Sequence, residues 1–268
     1  MIEKYYFKAL AFNKSLWGWG VGFMMFWIVM GAYVFNSPGS FSSTGSAMEY
    51  SAGWIAFIIL LSSTTVSISV ANSVYYANAS LVYTSKFTKL KPTKYMVDLI
   101  TPTIVVNLVI GSIVLLLSSE LFSLRAGFSI YPQQTLLFLG LLLITGLFMF
   151  LVGVSLVLLA NNYLGLKNIS FIIAIPQMLA YAFGLTTLNL GLPNWIVYGS
   201  PFNDILRLAY QFFYGKSLPL NLATGTGTLA NPIWFIFSLL AWIFILLIIS
   251  IILIRKIRYR SIEEARRI

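Results

Sequence analysis

The sequence predicts an all-α protein that crosses a membrane six times. Three observations predict it. Apolar residues make up 59% of the chain against 9% charged, where a soluble domain carries about 25% charge. Mean hydropathy is +0.88. Charge-free apolar runs near the roughly 20 residues that cross a hydrocarbon core recur six times, at 17–35, 52–76, 99–117, 136–160, 169–188 and 233–254. All 17 Lys and Arg and all 7 Asp and Glu lie outside those runs. A soluble domain, a disordered chain and a coiled coil are excluded by the same pattern.

Residues 1–16 come first. Ile2, Tyr5, Tyr6, Ala9 and Phe12 recur at helical spacing with Lys4 and Lys8 on another face, which predicts an amphipathic helix in the headgroup layer; a plain basic terminus is the alternative. The apolar run 17–35 exceeds the 7–15 residues of a signal peptide and lacks a small-residue cleavage pattern, so it reads as a retained span. A Ser/Gly-rich connector, 36–51, leads to the second span. The basic loop 77–98 then starts polar at Asn78-Ala79-Ser80 and is punctuated by Pro92. Within it Phe87, Leu90 and the lysine stems predict a short helix on the membrane surface. Such a helix either receives force from a soluble partner or serves only as a basic anchor.

The third span follows, and in the fourth Gly146, Gly153 and Ala160 repeat every seven residues, a seam for close packing. Pro176 predicts a kink in the fifth. The segment 189–232 is too long for an ordinary connector and too apolar for a free loop. Leu192-Pro193-Asn194-Trp195 makes a break, Ser200 is a good N-cap, Pro201 suits the first helical position and Gly215 is a natural stop. Between them Ile205, Leu206, Ala209, Phe212 and Phe213 line one side, with Arg207, Gln211 and Tyr214 on the other. About 21 Å of helix falls short of a core of about 30 Å. It is read as a helix partly inserted from outside; one lying flat in the interface is the alternative. The sixth span ends on Arg255-Lys256.

Orientation follows from the basic residues beside the spans. Fourteen lie in segments 1–16, 77–98, 161–168 and 255–268, and only Arg125, Arg207 and Lys216 lie in the others. Both termini are therefore expected in the cytoplasm, and the net charge of +10 is a topology signal first. Basic and aromatic residues are not interleaved on one polar surface, which sets aside a nucleic-acid partner.

Little chemistry is available. The chain has no His and no Cys, which removes the commonest metal ligand, the usual general base and thiolate chemistry. No run holds a titratable acid or base, so a proton relay or an ion-driven carrier is disfavoured. No Gly-x-x-x-x-Gly-Lys-Ser/Thr motif is present, so the chain is not itself an ATPase. Neutral polar groups remain. Ser62, Thr65, Ser69 and Asn72 share one face of the second span; such a stripe either lines a solute path or lets helices hydrogen-bond each other. Gln177 and Tyr181 lie one turn apart beyond Pro176 and join them as candidate path residues.

The order of these parts resembles the type-2 membrane permeases of ABC transporters, mostly exporters. The most specific stretch runs from Gly184 through Leu192-Pro193-x-Trp195, Ser200-Pro201-Phe202 and Arg207 to Gly215, similar to that family's fifth-span Gly, Leu-Pro-x-Trp, Asn-Pro and later Arg. Thr84, followed eight residues on by Pro92, resembles the family's coupling region, although Tyr83, Ser85 and Lys86 depart from its Gly-Thr-Leu-Glu.

The resemblance implies a single permease domain over 1–268 in the plasma membrane of a prokaryote. It implies a second permease subunit, identical or homologous, and a separate nucleotide-binding subunit that holds ATP and Mg, leaving this chain without a cofactor. The first, second and fifth spans would surround the path. Residues 1–16 and the loop 77–98, with Thr84, Lys86, Phe87, Lys89 and Leu90, would face the ATPase. Pro193, Trp195, Pro201 and Arg207 would mark the external re-entrant segment. The aromatic-rich, uncharged interior suits a hydrophobic or amphipathic cargo. The rival reading is a non-transporting anchor or assembly subunit whose basic residues hold a partner or anionic lipid. An intramembrane enzyme would need a catalytic site at depth, and the sequence supplies none.

Overall fold

The computed structural model describes residues 2–37, 39–87, 91–164, 169–190, 192–216, 218–221 and 226–256. Six helices in it are long and apolar enough to cross a membrane. In chain order the elements are α1 (Ile2–Ala11), α2 (Lys14–Val34), α3 (Thr44–Phe87), α4 (Pro92–Ala126), α5 (Thr135–Leu159, continued by a π turn Ala160–Leu164), α6 (Ser170–Asn189), α7 (Asn194–Gly199), α8 (Pro201–Tyr214) and α9 (Pro232–Arg255). One antiparallel hairpin, β1 (Leu218–Asn221) and β2 (Thr226–Ala230), supplies the only strands among the described residues, with Leu218 opposite Ala230.

Local chemistry sets the breaks. The Asn13 side chain accepts from the backbone N–H of Ser15 and Leu16 at 3.0 and 3.2 Å, capping α2 just after α1 ends. Asn231 does the same for Ile233 at 3.0 Å, with Pro232 in the first turn of α9. Gly127 and Gly215, at φ of 78° and 76°, close α4 and α8 in a backbone conformation that side chains resist.

α3 is the axis of the bundle. It is mostly buried and carries α2, α4, α5, α6 and α8 around it. Lipid tails are as apolar as leucine, so close packing and interhelical hydrogen bonds hold such helices together. Gly146 rides on the Ile104 backbone, and Gly153 lets α5 approach the Ser67 carbonyl of α3 so closely that an added Cβ would lie 2.6 Å away. The Asn107 amide donates to the Leu142 carbonyl at 2.8 Å, Ser155 and Ser250 share a hydrogen bond at 2.9 Å, and Asn162 donates to the Leu253 carbonyl at 2.8 Å. These bonds tie α4 and α9 to α5. From Ile233 to Ile252 the exposed residues of α9, Leu240 and Phe244 among them, are apolar, as a lipid-facing surface must be.

Three expectations change. The segment 77–98 is not a loop with a surface helix: α3 runs unbroken to Phe87 and α4 starts at Pro92. Pro92 is the first strong helix breaker after the span, so nothing stops α3 where charge begins. Helix α1 packs on α4 through Tyr6 and Leu10, while Tyr5 and Phe12 stay exposed, a rotation from the expected face. Burial raises the Tyr6 phenol above its usual pKa, which keeps it protonated. Finally, α8 is buried almost all round, including Arg207 at 1% exposure, which the sequence reading placed on an outer polar side.

Candidate functional site

Two recesses lie along the same three helices, α2, α3 and α6. The first, ≈ 570 Å³, is framed by Trp27 and Phe35, by Glu49, Tyr50, Gly53 and Trp54 of α3, by Leu185 and Asn189 of α6, and by Tyr210 of α8. The second, ≈ 360 Å³, is framed by Ser15, Leu16 and Trp19 of α2, Thr65, Ile68 and Ser69 of α3, and Gln177 of α6. From Glu49 to Ser69 is twenty residues of one straight helix, about 30 Å, the thickness of a hydrocarbon core.

Between the recesses stands an aromatic partition. The rings of Trp27, Phe57 and Tyr181, one from each helix, meet pairwise with centroids 5.8, 5.9 and 6.0 Å apart. Their tilted and edge-on geometry is the arrangement that ring quadrupoles favour. The Trp27 indole N–H donates to the Tyr181 hydroxyl at 3.2 Å, which ties α2 to α6 across α3. Phe57 is fully buried and pressed on Gly184: a Cβ there would sit 2.6 Å from Phe57 Cε2 and closer still to Cδ2. Glycine at 184 is therefore a space requirement, set by the Phe57 ring.

α2 is wound for this role. Two π turns, Gly18–Gly22 and Met30–Val34, bracket Trp27, and each carries a glycine against α3: a Cβ on Gly20 would strike Thr65 Oγ1 and one on Gly31 would strike the Trp54 ring, both at 2.8 Å. Wide turns of this kind concentrate at functional sites because they shift a helix face locally.

The candidate path residues divide. Thr65, Ser69 and Gln177 share the second recess, and Tyr181, one turn beyond Gln177, joins the Trp27 ring. Ser62 instead donates to the Gly20 carbonyl at 2.8 Å, a packing bond, and Asn72 is half-buried beyond the recess. Of the coupling residues, Phe87 is 80% exposed at the tip of α3. Thr84 and Lys86 lie in the same helix, their side chains outside the described set, and Lys89 and Leu90 lie outside the described residues. Pro193 and Trp195 are exposed at the start of α7, and Pro201 opens α8.

The helices α7 and α8 enter the bundle as a pair. The Trp242 indole, ten residues into α9, donates to the Gly199 carbonyl at 2.9 Å, and Phe202 packs on Phe148 deep in α5 with centroids 5.6 Å apart. At the other end of α8 the backbone N–H of Gln133 donates to the Phe213 carbonyl at 3.0 Å, at the α4–α5 turn. α8 thus stands on end within the bundle.

Its buried polar cluster was not anticipated. Asn203 accepts from Thr187 Oγ1 at 2.9 Å and from Arg207 Nε at 3.3 Å, and donates to the Val197 carbonyl at 2.7 Å. Arg207 also donates to the Pro219 carbonyl of the hairpin at 3.4 Å and lies over the Phe235 ring. Asp204 is fully buried one turn before it with Ser238 of α9 beside it, and neither carboxylate oxygen has a hydrogen bond of normal geometry among the described residues. The signal lay in the sequence: Asn203, Asp204 and Arg207 occupy i, i+1 and i+4, a polar stripe on an otherwise apolar helix.

Among the described residues no group of three His, Cys, Asp or Glu side chains is placed to hold a metal ion. Compared with known proteins, the chain matches no family model and no curated protein.

Proposed function

We propose that this chain is the membrane-spanning permease subunit of an ATP-driven transporter of the ABC type-2 kind, exporting a hydrophobic or amphipathic cargo. One observation carries the reading: two recesses on the same three helices, stacked over about 30 Å and separated by three rings. A passage closed at its middle and recessed from both ends is what a carrier needs to admit cargo from one side and release it on the other. The helices concerned are the first, second and fifth spans, those that the resemblance implies for the path. In this reading both termini are cytoplasmic, and a second permease subunit covers the exposed sides of α2 and α6.

The energy source follows from what the walls carry. No Lys, Arg, Asp or Glu frames the inner recess, so work there comes from outside the chain. Eighteen residues of α3 follow Ser69, about 27 Å of helix. That extension, with Phe87 at its tip, is the part offered to a nucleotide-binding subunit that binds ATP and Mg.

Reconstitution tests the reading. With a co-expressed nucleotide-binding subunit, vesicles should accumulate an amphipathic probe only when ATP is hydrolysed. Uphill transport by the chain alone on an ion gradient would overturn it. Stable capture of a non-ATPase partner, with no transport under either condition, would favour the anchoring role instead.

A further inference from the structure

We infer that the recess framed by Trp27, Tyr50, Trp54 and Tyr210 is a binding site for amphipathic organic cations, with Glu49 as its counter-charge. The inference deepens the transport reading by naming a cargo class, and it rests on that reading only for the movement of the ligand, not for its binding.

Five aromatic rings face this recess, and the only charged side chain among its lining residues is a carboxylate. Ring faces carry negative potential, so a cage of Trp and Tyr favours a cation, most of all a quaternary one that surrenders little hydration. Its volume, ≈ 570 Å³, lies in the range of small-molecule sites, roughly 300–1,000 Å³. Glu49 sits on α3 one turn before Trp54, exposed at the mouth, where low-dielectric walls focus its field inward.

The cations of this end of the bundle are directed elsewhere. Arg125 lies over the Tyr33 and Phe41 rings, Lys216 over Tyr214, and Arg207 faces Phe235 and the Pro219 carbonyl. None of the three lines the recess. Hydrophobic anions therefore meet a carboxylate and ring faces with no lining base to receive them. The sequence alone places Glu49 in a solvent connector; the tertiary fold brings it to the rings.

Tetraphenylphosphonium and tetraphenylborate, nearly equal in size and opposite in charge, separate the possibilities. The full chain in neutral-lipid nanodiscs is titrated with each, against empty discs, following Trp fluorescence and equilibrium dialysis. Saturable phosphonium binding about tenfold tighter than borate is expected. Glu49→Gln should weaken the phosphonium about fivefold, as suits a partly exposed charge, and leave the borate unchanged or slightly tighter. Glu49→Asp should recover most of the loss. Position 49 is exposed, so these variants retain the fold, which gel filtration and thermal unfolding will check. Equal affinity for the two ions, or a Glu49→Gln variant indistinguishable from the parent, overturns the site. Saturable cation binding with no ATP-dependent transport leaves the site standing and removes the transport reading. ATP-driven transport without cation preference does the reverse.

Discussion

Gly184→Ala probes the aromatic partition at its tightest point. The added methyl would lie 2.6 Å from Phe57 Cε2 and nearer to Cδ2, where ordinary contact begins at 3.4 Å. The ring must therefore move by about 1 Å or more, or α6 must retreat from α3 by as much. Phe57 has no free side to move into, because Trp27, Trp54 and Tyr181 stand 5.8, 6.0 and 6.0 Å away. Overpacking of this kind costs about 1–3 kcal/mol. Phe57→Leu alone should also destabilise, by removing ring contacts. Combined with Gly184→Ala it should recover about 1 kcal/mol relative to the sum of the two, because the smaller side chain leaves room for the methyl. The assay is detergent-induced unfolding of the purified chain, followed by Trp fluorescence, for the parent, both single variants and the double. Additive losses would show that the two residues do not share the contact and would refute the account of the partition.

Opening the partition should uncouple it: Trp27→Ala with Tyr181→Ala is expected to let a small membrane-impermeant organic cation, trapped inside proteoliposomes, leak out without ATP, and vesicles as tight as the parent's would remove the barrier role. Arg207→Ala should strip Asn203 Oδ1 and the Pro219 carbonyl of a donor inside the packed bundle and cost about 1–3 kcal/mol, seen as lost monodisperse protein; Arg207→Lys should restore part of the yield, and an unaffected Arg207→Ala variant would contradict the buried cluster. Lys86→Glu with Lys89→Glu should reduce co-purification of the nucleotide-binding subunit, and unchanged recovery would take the coupling role from this end of α3. Gly153→Leu should be far more damaging than Gly140→Leu, since a Cβ meets the Ser67 carbonyl at the first and open space at the second; thermal unfolding compares them.

The spans were legible because lipid imposes the pattern: a helix without charge for about 20 residues has few other homes. Their true lengths were not. A charge-free window ends at Glu49 and Lys86, whereas α3 runs from Thr44 to Phe87, because a helix tolerates charge at its ends. α8 was legible in its bounds, Pro201 to Gly215, but not in its surroundings. An arginine between two glycine- and proline-punctuated stretches reads as surface, and only the packing of α3, α5, α6 and α9 around it reveals a buried site. The polar stripe of the second span divides, with Thr65 and Ser69 facing a recess while Ser62 bonds to α2. Tyr181 was singled out beside Pro176, but the grouping of Trp27, Phe57 and Tyr181 was out of reach. They come from three distant segments, each an ordinary aromatic in an apolar run, and no spacing rule joins them.

The unbroken course of α3 has a mechanical meaning. Ser67, held against Gly153 of α5 with no room for even a methyl, is a point where the rod's own backbone is gripped. From there Phe87 lies twenty residues away and Phe57 ten, lever arms of about 30 and 15 Å. In the proposed transporter, a push of about 4 Å at the tip, turned about that grip, would reach the Phe57 ring as about 2 Å. A helix broken at residue 77, where the sequence turns polar, would bend at the joint and lose the stroke.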